Sequence, residues 1–196
     1  RVWDLSQGAE ILRLPVSGRE VRAVALSPDG RTLLTGDFDT KGRLWDLDTG
    51  QEILRYEGHT KAVLAVAFAP DGRHLVTGGD DRSVRLWETT TGREVGSYDG
   101  VTGVAYGVAI SPDSRRVAAG LADKKVLLWD LRGGKLLKTF DIRTGGILGL
   151  VFTRDGRQLV AGCGDGSIRI DDLPPTFPGE TPASTPRAVR RTTGRR

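Results

Sequence analysis

A single spacing constrains this sequence more than any other feature. Trp3, Trp45, Trp87 and Trp129 stand 42 residues apart, and the same step links Asp39, Asp81, Asp123 and Asp165. It also links Gly36, Gly78, Gly120 and Gly162, with no insertion or deletion between them. A unit of this length cannot bury an apolar face alone, so its copies must stack and share a core. Between Gly58 and Tyr98 the unit contains four short apolar runs, VLAVAF, HLVTG, SVRLW and EVGSY. Pro70-Asp71-Gly72, Asp80-Asp81 and Thr91-Gly92 separate them. Runs of this kind, bounded by Pro, Asp and Gly, predict antiparallel strands joined by hairpins. The first run is apolar on both sides, as expected of a strand covered on both faces. The sequence therefore predicts an all-β chain of small four-stranded sheets stacked in register.

The residues that repeat resemble those of the WD40 family: the Gly58-His59 pair, the Pro70 to Gly72 turn, Asp81, and the Trp45-Asp46 and Trp129-Asp130 pairs. The resemblance spans residues 1–173. It implies a WD40-type β-propeller, here a partial ring of about four four-stranded antiparallel blades. It also implies a hydrogen-bonded structural tetrad, placed by position at His59, Thr77, Asp81 and Trp87. The other blades keep parts of that framework: Thr35, Asp39 and Trp45, then Asp123 and Trp129, then Asp165. Ser17, Val101 and Arg143 stand where the histidine would be, and Asp171 stands where the last tryptophan would be.

In these terms residues 1–16 form a half blade, with Arg1 to Leu5 as a third strand and Glu10 to Val16 as an outer strand. Residues 17–58, 59–100 and 101–141 form three whole blades, and 142–173 an incomplete one. The chain starts in the middle of a sheet and contains no Met, so it reads as an excerpt of something longer. No charged-then-apolar leader precedes Arg1, and no apolar run approaches the length of a bilayer span. Ser114 occupies the turn position where Gly30, Gly72 and Gly156 stand, a left-handed position costing a serine about 1 kcal/mol. Residues 174–196, rich in Pro, Thr and Arg, are expected to be a disordered tail. Five Arg and one Glu give that tail a net charge of +4, the whole of the chain's excess, so residues 1–173 are neutral. Nucleic acid is accordingly an unexpected partner except through the tail.

Catalytic and metal-binding chemistry finds little support. Two His and one Cys offer no convergent ligand set, and no cofactor or small-molecule substrate is expected. His59 belongs to the implied tetrad, His74 is expected to be exposed, and Cys163 to be an inert, partly buried thiol. A lone Cys suits a reducing compartment, hence a cytoplasmic location. Asp39, Asp81, Asp123 and Asp165 occupy equivalent turns, where capping their own amides explains them. The Gly-Gly pairs lack the strand-to-helix setting of a phosphate loop.

What remains is surface. The resemblance implies that a protein partner binds the narrow face, through residues just after the histidine position and just before the turn aspartate. By position these are Arg19, Glu20, Phe38, Lys61, Asp80, Thr102, Tyr106 and Thr144. Phe38 and Tyr106 are the aromatic anchors of that set. The reading is a non-catalytic interaction scaffold. The alternative is the sensor or docking region of a larger bacterial signalling enzyme, a Ser/Thr kinase or NTPase. That alternative is suggested by an Arg-rich, Lys-poor composition and decided by the sequence upstream of Arg1. A partial ring further implies either homodimerisation or completion by additional blades.

Overall fold

The computed structural model describes residues 1–16, 20–143 and 145–178. Strands β1 (Val2–Asp4) and β2 (Ala9–Leu12) form a hairpin. Blade one contains β3 (Val21–Leu26), β4 (Thr32–Asp37), β5 (Lys41–Asp46) and β6 (Glu52–Glu57). Blade two contains β7 (Val63–Phe68), β8 (His74–Gly79), β9 (Val84–Glu88) and β10 (Glu94–Ser97). Blade three contains β11 (Ala105–Ile110), β12 (Arg116–Leu121), β13 (Lys125–Asp130) and β14 (Leu136–Asp141). Among the described residues blade four has three strands, β15 (Ile147–Phe152), β16 (Gln158–Cys163) and β17 (Ile168–Asp172). Every sheet is antiparallel in chain order, and no helix occurs among the described residues.

The turn chemistry acts as the sequence predicts. Gly30, Gly72 and Gly156 close the first hairpins of their blades at φ near +70°, and Ser114 holds the same position at φ +55°. The Ser114 hydroxyl accepts the Asp71 amide at 3.1 Å, tying the turn of blade two to that of blade three, which offsets its backbone strain. One regularity has no signature in residue type. A bulge falls at the same place in each blade's first strand: Val21/Ala23, Val63/Ala65, Ala105/Gly107 and Ile147/Gly149. A bulge increases twist and re-aims the strand beyond it.

Blades pack in sequence because each presents a glycine where the next presents two knobs. A Cβ on Gly36 would lie 2.8 Å from Val63 and 3.1 Å from Val66. On Gly78 it would lie 2.9 Å from both Ala105 and Val108, and on Gly120 it would collide with Ile147 and Leu150. The repeating glycine is therefore a close-approach position, not a flexible one. Apolar clusters fill the spaces between blades. Leu34, Tyr56, Val63, Leu75 and Trp87 join blades one and two, and Tyr98, Val108, Val117 and Trp129 join two and three. The Tyr56 hydroxyl donates to the Thr89 carbonyl (2.8 Å) and the Tyr98 hydroxyl to that of Leu131 (2.9 Å), each reaching into the following blade.

The two ends of the array differ from its interior. The hairpin β1–β2 lies beside blade one, leaving an apolar cleft of about 370 Å³ bounded by Val2, Trp3, Val21, Val24 and Leu26. Strand β2 is shorter than the outer strand expected over 10–16, since Pro15 cannot donate to a ladder. At the other end blade four has no following sheet, and the described residues do not close into a ring.

Sequence reasoning starts the unpacked tail at Pro174, and the structure corrects that boundary. Leu173 and Phe177 are buried in the cluster between blades three and four with Phe140, Ile147 and Leu159. Arg116 donates to the Pro175 carbonyl at 2.6 Å and lies 5.0 Å from the Phe177 ring centre. Blade four has Asp171 at the tryptophan position, and an aromatic six residues later enters its apolar cluster. The expectation for the rest of the tail lies outside the described residues.

Candidate interaction surface

Blade two brings His59, Thr77, Asp81 and Trp87 into one chain of hydrogen bonds. Trp87 Nε1 donates to Thr77 Oγ1 (2.8 Å), which lies 2.7 Å from His59 Nε2. His59 Nδ1 lies 2.9 Å from Asp81 Oδ2. The carboxylate sets the protons: ionised Asp81 can only accept, so Nδ1–H donates to it. Nε2 of the neutral ring then accepts the Thr77 hydroxyl proton, while the hydroxyl oxygen accepts the indole N–H. Burial holds His59 below the usual imidazole range, consistent with a neutral ring. Burial alone would raise the Asp81 carboxyl, but the Ser83 hydroxyl, the Thr60 amide and His59 outweigh it and hold it low. Every polar atom in the chain is engaged, so His59 has no free lone pair with which to act as a base.

Gly79 belongs to this arrangement. A Cβ there would lie 2.7 Å from both His59 Nδ1 and Asp81 Oδ1. One period earlier, where Ser17 replaces the histidine in sequence, residue 37 is an aspartate. Asp37 is buried beside Arg43, whose guanidinium also pairs with Asp39 and Glu52. Burial, then the neighbouring Asp39, raises Asp37 to about 6, while Arg43 pulls Asp39 down to about 2. Sequence reasoning missed Asp37 and Arg43. The usable signal was the paired change of Gly79 to Asp37 and His59 to Ser17 across one period. Asp39 is thus an Arg43 partner, whereas Asp81 and Asp165 accept the Ser83 and Ser167 amides of their own turns.

The other blades satisfy their groups differently. Trp45 Nε1 donates to Thr35 Oγ1 at 2.9 Å. In blade three, with Ala119 in place of the hydroxyl, Trp129 Nε1 donates to the Asp99 carbonyl at 3.0 Å. Asp123 accepts the Thr102 hydroxyl. Cys163 is buried, and His74, expected to be exposed, is half-buried with Nδ1 enclosed.

Of the candidate partner-binding residues, Glu20, Phe38, Lys61 and Asp80 lie in or beside loops that equivalent bonds hold at one end of the blades. Four equivalent backbone bonds tie the loop before each first strand to the residue before each turn aspartate. These are Phe38 N to Glu20 O, Asp80 N to Ala62 O, Ala122 N to Val104 O, and Gly164 N to Gly146 O. They set Glu20 beside Phe38 and Lys61 beside Asp80, whose side chains lie 3.5 Å apart. Phe38 is exposed. Tyr106 stands within β11, half-buried, rather than in the rim loop. Arg19 and Thr144 lie outside the described residues. No group of three His, Cys, Asp or Glu able to hold a metal converges among the described residues. No helix there is long and apolar enough to cross a membrane.

Compared with protein-family models, the chain matches the WD domain, G-beta repeat, four times in succession, over residues 10–46, 50–88, 92–130 and 134–170. No curated protein matches it.

Proposed function

The chain belongs to the WD40-repeat family, and from that premise we propose that it is a non-catalytic scaffold. A protein partner binds the rim formed by Glu20, Phe38, Lys61, Asp80 and Thr102. The observation that carries this reading is the contrast between framework and rim. The tetrad of blade two is buried and fully hydrogen-bonded, while Phe38 and Lys61 stand exposed, with Asp80 half-buried beside Lys61, and these positions change identity from blade to blade. An exposed aromatic beside charged neighbours is the composition of a binding anchor with a polar border.

A photo-crosslinking residue at position 38 tests the reading, with position 53 on the outer strand of blade one as the control. Discrete protein adducts from position 38 and none from position 53 are expected. Adducts from position 53 alone would overturn the assignment of the rim. If the chain serves as the docking region of a signalling enzyme, the adducts include that enzyme's substrate. A catalytic-loop or P-loop motif upstream of Arg1 would identify such an enzyme.

A further inference from the structure

The last blade presents an interface with one side missing. At the positions of Val126 and Leu128, exposed 2% and 0%, blade four has Ile168 and Ile170, exposed 70% and 60%. Gly162 stands at the close-approach position that Gly36, Gly78 and Gly120 use, yet nothing lies within 4 Å of a Cβ built on it. Among the described residues its sheet also ends at β17, with no fourth strand. The complementary half is on the same chain. Val66, Val108 and Leu150, the knobs that seat on the three interior glycines, are exposed 9%, 8% and 7%; their blade-one equivalent, Val24, is exposed 62%.

Charge selects the same pairing. In blade one a third-strand Arg43 lies 3.3 Å from a fourth-strand Glu52, and in blade two Arg85 lies 2.7 Å from Glu94. In blade three both positions are leucine, Leu127 and Leu136. Blade four has Arg169 at the third-strand position, with no acidic partner among the described residues. The fourth-strand equivalent elsewhere in the chain is Glu10, on β2, held at 3.0 Å by Arg1.

We propose that a second copy of this chain covers blade four. The partner's Val21 and Val24 seat on Gly162, and its β2 adds to the edge of β17 so that Glu10 meets Arg169. The contact is reciprocal, so it pairs two copies of this chain with two-fold symmetry. Strand β1 occupies the place of a third strand and leaves when β17 takes it. Its hold is slight, since Trp3 is half exposed where Trp45, Trp87 and Trp129 are buried. This pairing is independent of what binds the rim.

Sedimentation equilibrium of the full chain tests it, together with two variants placed on opposite faces. The wild type is expected at twice the 21.1 kDa chain mass. Gly162→Leu, at a site with open space in the single chain, and Val24→Glu are each expected to be monomeric with unchanged circular dichroism. Mixed, they regain a dimer, because one of the two interfaces is then wild type on both sides. Arg169→Glu weakens association about tenfold, and adding Glu10→Arg restores it. A monomeric or polydisperse wild type overturns the proposal, as does a dimer that survives Gly162→Leu. A dimer lost on removing residues 179–196 also overturns it, by assigning the cover to the chain's own tail.

Discussion

At the scale of single residues, the tetrad of blade two and the ion cluster of blade one solve one problem in two ways. Each fills the polar space under a turn aspartate, one with a neutral histidine beside Gly79 and the other with Asp37 and Arg43. Removing the Trp87 side chain should cost about 3–5 kcal/mol in a denaturant titration, as for other buried large aromatics. The two networks respond to pH with opposite signs. The lowered His59 loses its contribution as pH falls below 6.5, where the unfolded chain takes up the proton first. Asp37 is raised to about 6 from 3.8, so the native state binds the extra proton between those values, and its contribution is lost as pH rises through that window. The stability of the wild type minus that of Asp37→Asn should therefore fall between pH 4 and 6. A flat difference would contradict the burial assigned to Asp37. The tetrad was legible because its residue types are distinctive. The Asp37 cluster was not, because aspartate and arginine near a turn look like solvated charge until position 37 is set against 79.

At the scale of the element, strands and hairpins were legible from period and turn residues, down to the left-handed Ser114. The repeated first-strand bulge was not, because a bulge is a backbone event that several residue types accept. The segment after β17 was misread for another reason: its proline content signals disorder, and the period gives no place to Phe177. Its burial beside Leu173 and Arg116 makes it part of blade four. Phe177→Ala should cost about 3 kcal/mol, the low end for a buried phenylalanine at a domain's edge. Amides of β16 and β17 should then exchange faster while those of β8 are unchanged. Equal acceleration in all blades would mean that the strap supports the whole array rather than its end.

At the scale of the whole molecule, stacked sheets leave a neutral body and gather the net charge beyond residue 178. Any binding to anionic polymers should therefore vanish on deleting residues 179–196 and weaken steeply with salt, with about four net charges involved. Salt-resistant binding by the shortened chain would contradict this. The rim proposed to bind a partner was only partly legible. Position supplied Glu20, Phe38, Lys61 and Asp80, but Tyr106 lies inside a strand, and no repeat rule reports which way a side chain faces at a bulge. A silent framework and a working edge should separate under mutation, and one pair of variants measures that separation directly. For the partner captured through position 38, Lys61→Glu should weaken affinity about tenfold, or about 1.4 kcal/mol, with the unfolding midpoint unchanged. Thr77→Val should lower stability by about 1–3 kcal/mol through unmet hydrogen bonds and leave the affinity of the folded chain as it was. The reverse pattern, affinity lost at Thr77 and unaffected at Lys61, would contradict it.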